Sequence, residues 1–192
     1  TNDLLNKTRQ VLEGGVKLVQ YRNKSANDSL RREQAKLLLP LCREHNALLI
    51  INDHLEIAIE IDADGVHVGK NDVPVSAAKN LLGHNKIVGT SCYNQLGLAK
   101  QAQKDGADYI AFGAFFSSLT KPNAVSVSIS LVNQAQKELS IPIVGIGGIQ
   151  LANARIVIQS GCAAIAVCHD LFQAENIKAA AAHYVQLFAE TM

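Results

Sequence analysis

Gly106-Ala107-Asp108-Tyr109-Ile110-Ala111-Phe112-Gly113 reads as a helix exit followed at once by a buried strand. The first glycine suits the left-handed position that caps a helix, and the apolar run after it has the length of a strand covered on both faces. The unit recurs as Gly14-Gly15-Val16-Lys17-Leu18-Val19-Gln20, as Ala63-Asp64-Gly65-Val66-His67-Val68-Gly69 and as Gly161-Cys162-Ala163-Ala164-Ile165-Ala166-Val167. Helical stretches separate the copies. Strict alternation of strand and helix means a parallel sheet joined by right-handed crossovers.

Working outward, strands fall near 16–21, 48–51, 65–68, 87–90, 109–112, 143–146 and 164–167. Helices fall near 4–13, 28–45, 55–61, 75–82, 95–104, 129–139, 151–160 and 174–189. Asn27 stands where it caps the second helix, and Pro74 where a first-turn proline is tolerated. A (β/α)8 barrel needs eight strands, and the three residues before Leu4 cannot make the missing one. The expectation is an α/β chain, a single (β/α)8-barrel (TIM barrel) domain over 1–192 with its first strand missing from this chain. Residues upstream of Thr1, or a partner, would cover the gap; an open sheet is the alternative.

The 192 residues are 48% hydrophobic, enough for a sizeable core. Eighteen Lys and Arg against 17 Asp and Glu leave a formal charge of +1, which argues against a nucleic-acid surface or a solvating acidic tail. Tryptophan is absent and aromatics are 5%, leaving little for stacking on bases. No apolar run approaches the ~20 residues of a membrane span, and the first residues lack a secretory profile. Cys42, Cys92, Cys162 and Cys168 show no CxxC spacing, which reads as reduced thiols in a cytoplasmic protein.

In such barrels the chemistry sits at the C-terminal ends of the strands. Gln20-Tyr21-Arg22-Asn23-Lys24 follows the first strand, and period-two alternation puts Gln20, Arg22 and Lys24 on one side. Two cations beside an amide suit a diphosphate; a solvated rim is the plain alternative. Asn52-Asp53 suits a polar ring and a hard cation, or else a helix N-cap. Asp72 is a second carboxylate for the same ion, or a turn residue before Pro74. His67 reads as a hydrogen-bonded interior histidine rather than a metal ligand. Ser91 lacks a GxSxG elbow and reads as a hydrogen-bond donor or turn residue rather than a nucleophile. The longest connection, 113–128, holds Ser117, Ser118, Thr120 and Lys121, a phosphate-friendly cluster on a stretch long enough for a lid. Gly145-Ile146-Gly147-Gly148-Ile149 and Cys168-His169-Asp170 follow the last two strands, the recurrent phosphate position of these barrels. The late position of these glycines, after many βα units, disfavours a dinucleotide-binding fold.

Together these segments resemble the thiamine phosphate synthase family. Its signatures Q-[YF]-R-x-K, N-D, D-G-[VI]-H-[LIV]-G-x-x-D, G-x-S, G-A-D-Y-x-x-[FL]-G with T-x-T-K, and G-I-G-G-I are similar to Gln20 through Lys24, Asn52-Asp53, Asp64 through Asp72, Gly89-Thr90-Ser91, Gly106 through Lys121 and Gly145 through Ile149. The resemblance implies a transferase that joins a hydroxymethylpyrimidine diphosphate to a thiazole phosphate. Thiamine phosphate and pyrophosphate would form through a carbocation-like step. It implies that Gln20, Arg22, Lys24, Asn52, Ser91 and Lys121 hold the pyrimidine diphosphate, with Tyr21 and Asn23 in the same binding segment. Arg22, Lys24, Ser91 and Lys121 would act in catalysis, and Asp53 and Asp72 would hold Mg2+. Ser118, Leu119, Thr120, Gly148, Cys168 and His169 would meet the thiazole phosphate. Ser118 replaces a usual Thr, Tyr93 sits where a His is common, and His169 where the family often has Ser. The implied partners are small phosphorylated molecules, with a homo-oligomer left open. The near rival is the thiazole tautomerase of the same superfamily, which carries a His where this chain has Ala114. A non-catalytic phosphate-binding barrel is a rival of another class.

Overall fold

The computed structural model describes residues 1–117 and 126–191. Among them seven parallel strands lie in one sheet in chain order: β1 (Leu18–Tyr21), β2 (Leu48–Asn52), β3 (Gly65–Val68), β4 (Ile87–Tyr93), β5 (Tyr109–Gly113), β6 (Ile143–Ile146) and β7 (Ala164–Ala166). The helices are α1 (Asn2–Glu13), α2 (Asp28–Glu44), α3 (Leu55–Glu60), α4 (Val75–Leu82), α5 (Leu96–Lys104), α6 (Ile129–Glu138), α7 (Leu151–Gln159), α8 (His169–Phe172) and α9 (Ile177–Ala189). The first and last helices, α1 and α9, pack on each other, with Lys178 Nζ 3.1 Å from Glu13 Oε2. The layers therefore curl into a TIM-barrel-like fold, while β1 and β7 share no ladder. Those two strands are its exposed margins: Leu18 is 45% exposed, and Gln20 and Ala166 are exposed as well.

Seven strands agree with the sequence count, and the end of the chain corrects it. The helix expected over 174–189 forms as α9, Ile177–Ala189, and a short further helix, α8, precedes that span at His169–Phe172. The Asn176 side chain accepts from Ala179 N and starts a fresh helix, while Tyr184 Oη donates to Asp170 Oδ2 at 2.6 Å and ties α8 to α9.

Four helix exits share one construction. Asn46, Asp62, Gly106 and Gly161 take φ of 52°, 56°, 88° and 97° after α2, α3, α5 and α7. The next residue (Ala47, Ala63, Ala107 or Cys162) is buried to 5% exposure or less. In the first three, its N–H donates at 2.9 Å to the carbonyl five residues back, on Cys42, Ala58 and Ala102. That closure satisfies a helix-end carbonyl and turns the chain directly into the sheet. Asn and Asp tolerate the left-handed region, so two of the four exits need no glycine.

Two exits continue into an aspartate clamp. Asp64 N donates to Leu49 O at 3.1 Å while its carboxylate accepts Leu49 N at 2.8 Å. Asp108 treats Val88 the same way, at 2.8 and 2.6 Å. Each clamp fixes where a strand begins against its predecessor. With those starts fixed, Asn52, His67, Gly89 and Tyr109 fall in one register row across β2 to β5. On the opposite face Leu49, Ile51, Val66, Val68, Ile110 and Phe112 join helix residues such as Leu38, Ile57 and Val132 in the core.

Gly89 is the small member of that row. A Cβ there would lie 2.0 Å from Tyr109 Cζ, so the tyrosine ring crosses β4 and stacks on His67, with centroids 5.6 Å apart at 28°. Gly89→Ala should cost about 1–3 kcal/mol, the range for overpacking a filled interior. Gly97→Ala, in α5 with nothing within 4 Å of the added carbon, should be neutral or stabilise by up to about 1 kcal/mol. Urea unfolding of both variants checks the contrast.

Candidate active site

Parallel strands in unbroken order open all their C-terminal ends on one rim. At the end of β1, Tyr21 is buried and donates its hydroxyl to Gln34 Oε1 at 2.7 Å. Asn23 donates to the same oxygen at 3.1 Å, and its own Oδ1 accepts Ser25 Oγ and Ala26 N. Arg31 donates to the backbone oxygens of Asn23 and Lys24. Tyr21 and Asn23, expected to bind substrate, are thus held inside the loop and against α2. The alternate residues Gln20, Arg22 and Lys24 are exposed, as period two requires. Lys24 Nζ reaches 3.6 Å from Asp53 Oδ2, joining the ends of β1 and β2.

Asp53 has φ 65° and donates its N–H to His67 O at 2.8 Å. That tight turn leaves its side chain 24% exposed. Neither Asn52 nor Asp53 caps α3, whose first residue follows His54 without a side-chain cap. Asp72 does serve its loop: Oδ2 accepts Gly69 N at 2.7 Å. Its Oδ1 takes no hydrogen bond among the described residues. Magnesium asks for one or two carboxylates with water and phosphate oxygens, so this pair of acidic side chains on neighbouring loops fits that ion by donor type. Among the described residues no cluster of three or more His, Cys, Asp or Glu gathers.

Inside the rim, His67 Nδ1 lies 2.9 Å from Tyr109 Oη and Nε2 lies 2.9 Å from Ser91 Oγ. Burial lowers the imidazole pKa to about 4, with the Asp72 charge pulling weakly the other way. Burial also pushes the Tyr109 phenol up, with the Gln20 side chain pulling the other way. A serine beside a histidine invites a nucleophile-and-base reading. Here the second ring nitrogen meets a phenol rather than a carboxylate, and a neutral, buried imidazole is a poor base at pH 7. The unit orders hydrogen bonds. Tyr109 and Gln34 were not singled out from sequence; the glycine inside β4 was the available signal that a neighbouring strand sends a large group across it.

On the other side of the rim, Gly147 and Gly148 take φ of 90° and 65°. A Cβ on Gly148 would fall 2.6 Å from the carbonyl oxygens of Phe116 and Ser117, so the loop packs directly on the chain leaving β5. Asn153 holds it, donating to Gly148 O at 3.2 Å and accepting Gln150 N at 2.8 Å. The N–H groups of Gly148 and Ile149 take no hydrogen bond among the described residues. Cys168 and His169, both exposed, begin α8. Ser118, Leu119, Thr120 and Lys121 lie outside the described residues, and with them most of the expected lid.

A family model described as "Thiamine monophosphate synthase" matches residues 1–171. A thiamine-phosphate synthase of Nitrosomonas eutropha is 53% identical over 178 residues, covering 93% of this chain and 84% of the relative. One of Nitrosospira multiformis is 50% identical over 188 residues, covering 98% and 80%. The solved thiamine phosphate pyrophosphorylase from Pyrococcus furiosus superposes with a TM-score of 0.90 at 34% identity, covering 98% of this chain and 90% of that one.

The buried imidazole has a consequence for stability. Its folded pKa of about 4 lies below the ordinary 6.5, so between those values the unfolded chain holds the extra proton. The contribution is complete above pH 6.5 and lost as pH falls, by roughly 2–3 kcal/mol at pH 4.5. Urea unfolding at pH 7.5 and 4.5 should show wild type losing more stability than His67→Gln across that interval. Equal losses would locate the pH dependence elsewhere.

Proposed function

The chain belongs to the thiamine monophosphate synthase family, and from that premise we propose that its rim joins a hydroxymethylpyrimidine diphosphate to a thiazole phosphate. It is a transferase of the thiamine-phosphate synthase type. The observation that carries the residue-level reading is the meeting of unlike charges at the ends of β1 and β2, Lys24 at 3.6 Å from Asp53, with Arg22 exposed beside them.

In the reaction the bond between the pyrimidine methylene carbon and the diphosphate oxygen breaks, its electron pair leaving with pyrophosphate. The thiazole nitrogen lone pair then forms the new carbon–nitrogen bond. Arg22 and Lys24 stabilise negative charge as it grows on the leaving oxygen, where fixed charge lowers the barrier most. Asp53 and Asp72 would hold Mg2+, which when bound supplies further neutralisation of the pyrophosphate. Gln20, Asn52 and Ser91 line the pyrimidine side. On the thiazole side, the N–H groups of Gly148 and Ile149 suit the phosphate, beside Cys168 and His169. The attacking nitrogen carries no proton, so no base is needed, in keeping with the engaged ring of His67. We place this chemistry in the cytoplasm; among the described residues no helix is long and apolar enough to cross a membrane.

The tautomerase reading needs an imidazole just after Gly113, and Ala114 stands there. Isotope-labelled substrates with and without magnesium separate the readings, since only the synthase gives a joined product. Asp53→Asn and Asp72→Asn should each lower kcat by about 10²-fold, the size of one lost electrostatic contact to the transition state. Both should also raise the magnesium concentration needed for half-maximal rate. Unchanged turnover of both variants at saturating magnesium would sink the shared ion site.

A further inference from the structure

Tyr109, His67 and Ser91 form a chain of hydrogen-bonding groups across β5, β3 and β4, at 2.9 Å in each link. The direction of that chain follows from which of its ends has somewhere else to donate. Tyr109 is 9% exposed, so its hydroxyl proton must be given to a protein acceptor. Among the described residues, His67 Nδ1 is the group within hydrogen-bond distance that can accept it. Ser91 is half-buried, and its hydroxyl proton has the open rim to turn to.

We propose that Tyr109 and His67 are positioning residues that fix one direction of donation. In this arrangement Tyr109 Oη–H donates to His67 Nδ1, His67 Nε2–H donates to Ser91 Oγ, and the Ser91 proton faces the rim. The imidazole is then the Nε2–H tautomer, and the serine lone pair that faces the protein is filled. Ser91 is left as a donor of fixed orientation for an acceptor on the substrate, a ring nitrogen or a diphosphate oxygen. The opposite direction would leave a buried phenol proton without an acceptor, which costs about 1–3 kcal/mol. Gly89 makes the arrangement possible, because any side chain there would occupy the tyrosine ring's place. The functional part of this inference rests on the transferase reading above; the tautomer does not.

Two measurements test it. Nitrogen NMR of ligand-free protein labelled at histidine, with His67 assigned by its loss in His67→Gln, should show the proton on Nε2 and an unprotonated Nδ1 at neutral pH. A proton on Nδ1 would overturn the proposal whatever the enzyme turns over. The second is a kinetic cycle of Ser91→Ala, Tyr109→Phe and the double variant. If the tyrosine acts through the serine, Tyr109→Phe should lower kcat by about 10-fold in the presence of Ser91, and by less than about twofold in the Ser91→Ala background, with KM for the pyrimidine diphosphate little moved. Equal losses in both backgrounds, or a loss of thermal stability with kcat unchanged, would make Tyr109 a packing residue only. Should Tyr109→Phe fail to fold, the tautomer in the unaltered protein still decides. Should wild type form no joined product, the transferase reading fails while the tautomer result stands separately.

Discussion

The turns from helix into strand after α2, α3, α5 and α7 govern this fold. A left-handed residue followed by a small buried one closes the helix end at Asn46-Ala47, Asp62-Ala63 and Gly106-Ala107 with the same 2.9 Å hydrogen bond. Asp64 and Asp108 then clamp both backbone groups of Leu49 and Val88. A parallel strand has no hairpin to set its register, so these exits and clamps set it. Once they do, the inner row Asn52, His67, Gly89, Tyr109 is determined, and the interior of the site follows from it.

That interior and the rim above it obey different electrostatics. Below, imidazole, phenol and hydroxyl are neutral and joined by directed hydrogen bonds, because a charge there would be desolvated without a partner. Above, Arg22, Lys24 and Asp53 remain in contact with water. A leaving group of high charge would meet the rim, and an uncharged heterocycle the interior. The division suits a reaction whose electrostatic demand lies at one end of one substrate.

Several sequence expectations were legible because they rest on local rules. Period two separated Gln20, Arg22 and Lys24 from Tyr21, and the structure keeps that separation. His67 was readable as an interior hydrogen-bonding histidine, since it lies mid-strand among apolar neighbours. That Tyr21 and Asn23 share Gln34 as a hydrogen-bond partner was not legible, because Gln34 sits on a helix that sequence distance does not bring to the strand end. The cap readings of Asn52 and Asp53 failed for a similar reason. A positive φ at Asp53 and its bond to His67 O delay the helix until Leu55, and that bond comes from a neighbouring strand.

By itself the sequence determined the alternation of strands and helices, the family, and the polar residues that end each strand. These follow from turn chemistry, burial periodicity and motif order, all of which act over a few residues. Tertiary structure alone decided which side chains meet. Tyr109 reaches His67 only because register places a glycine between them, and Lys24 reaches Asp53 only because β1 and β2 are neighbours. Pairing across strands depends on register and on space left by a third residue, and neither quantity is carried by the local sequence of the two residues that touch.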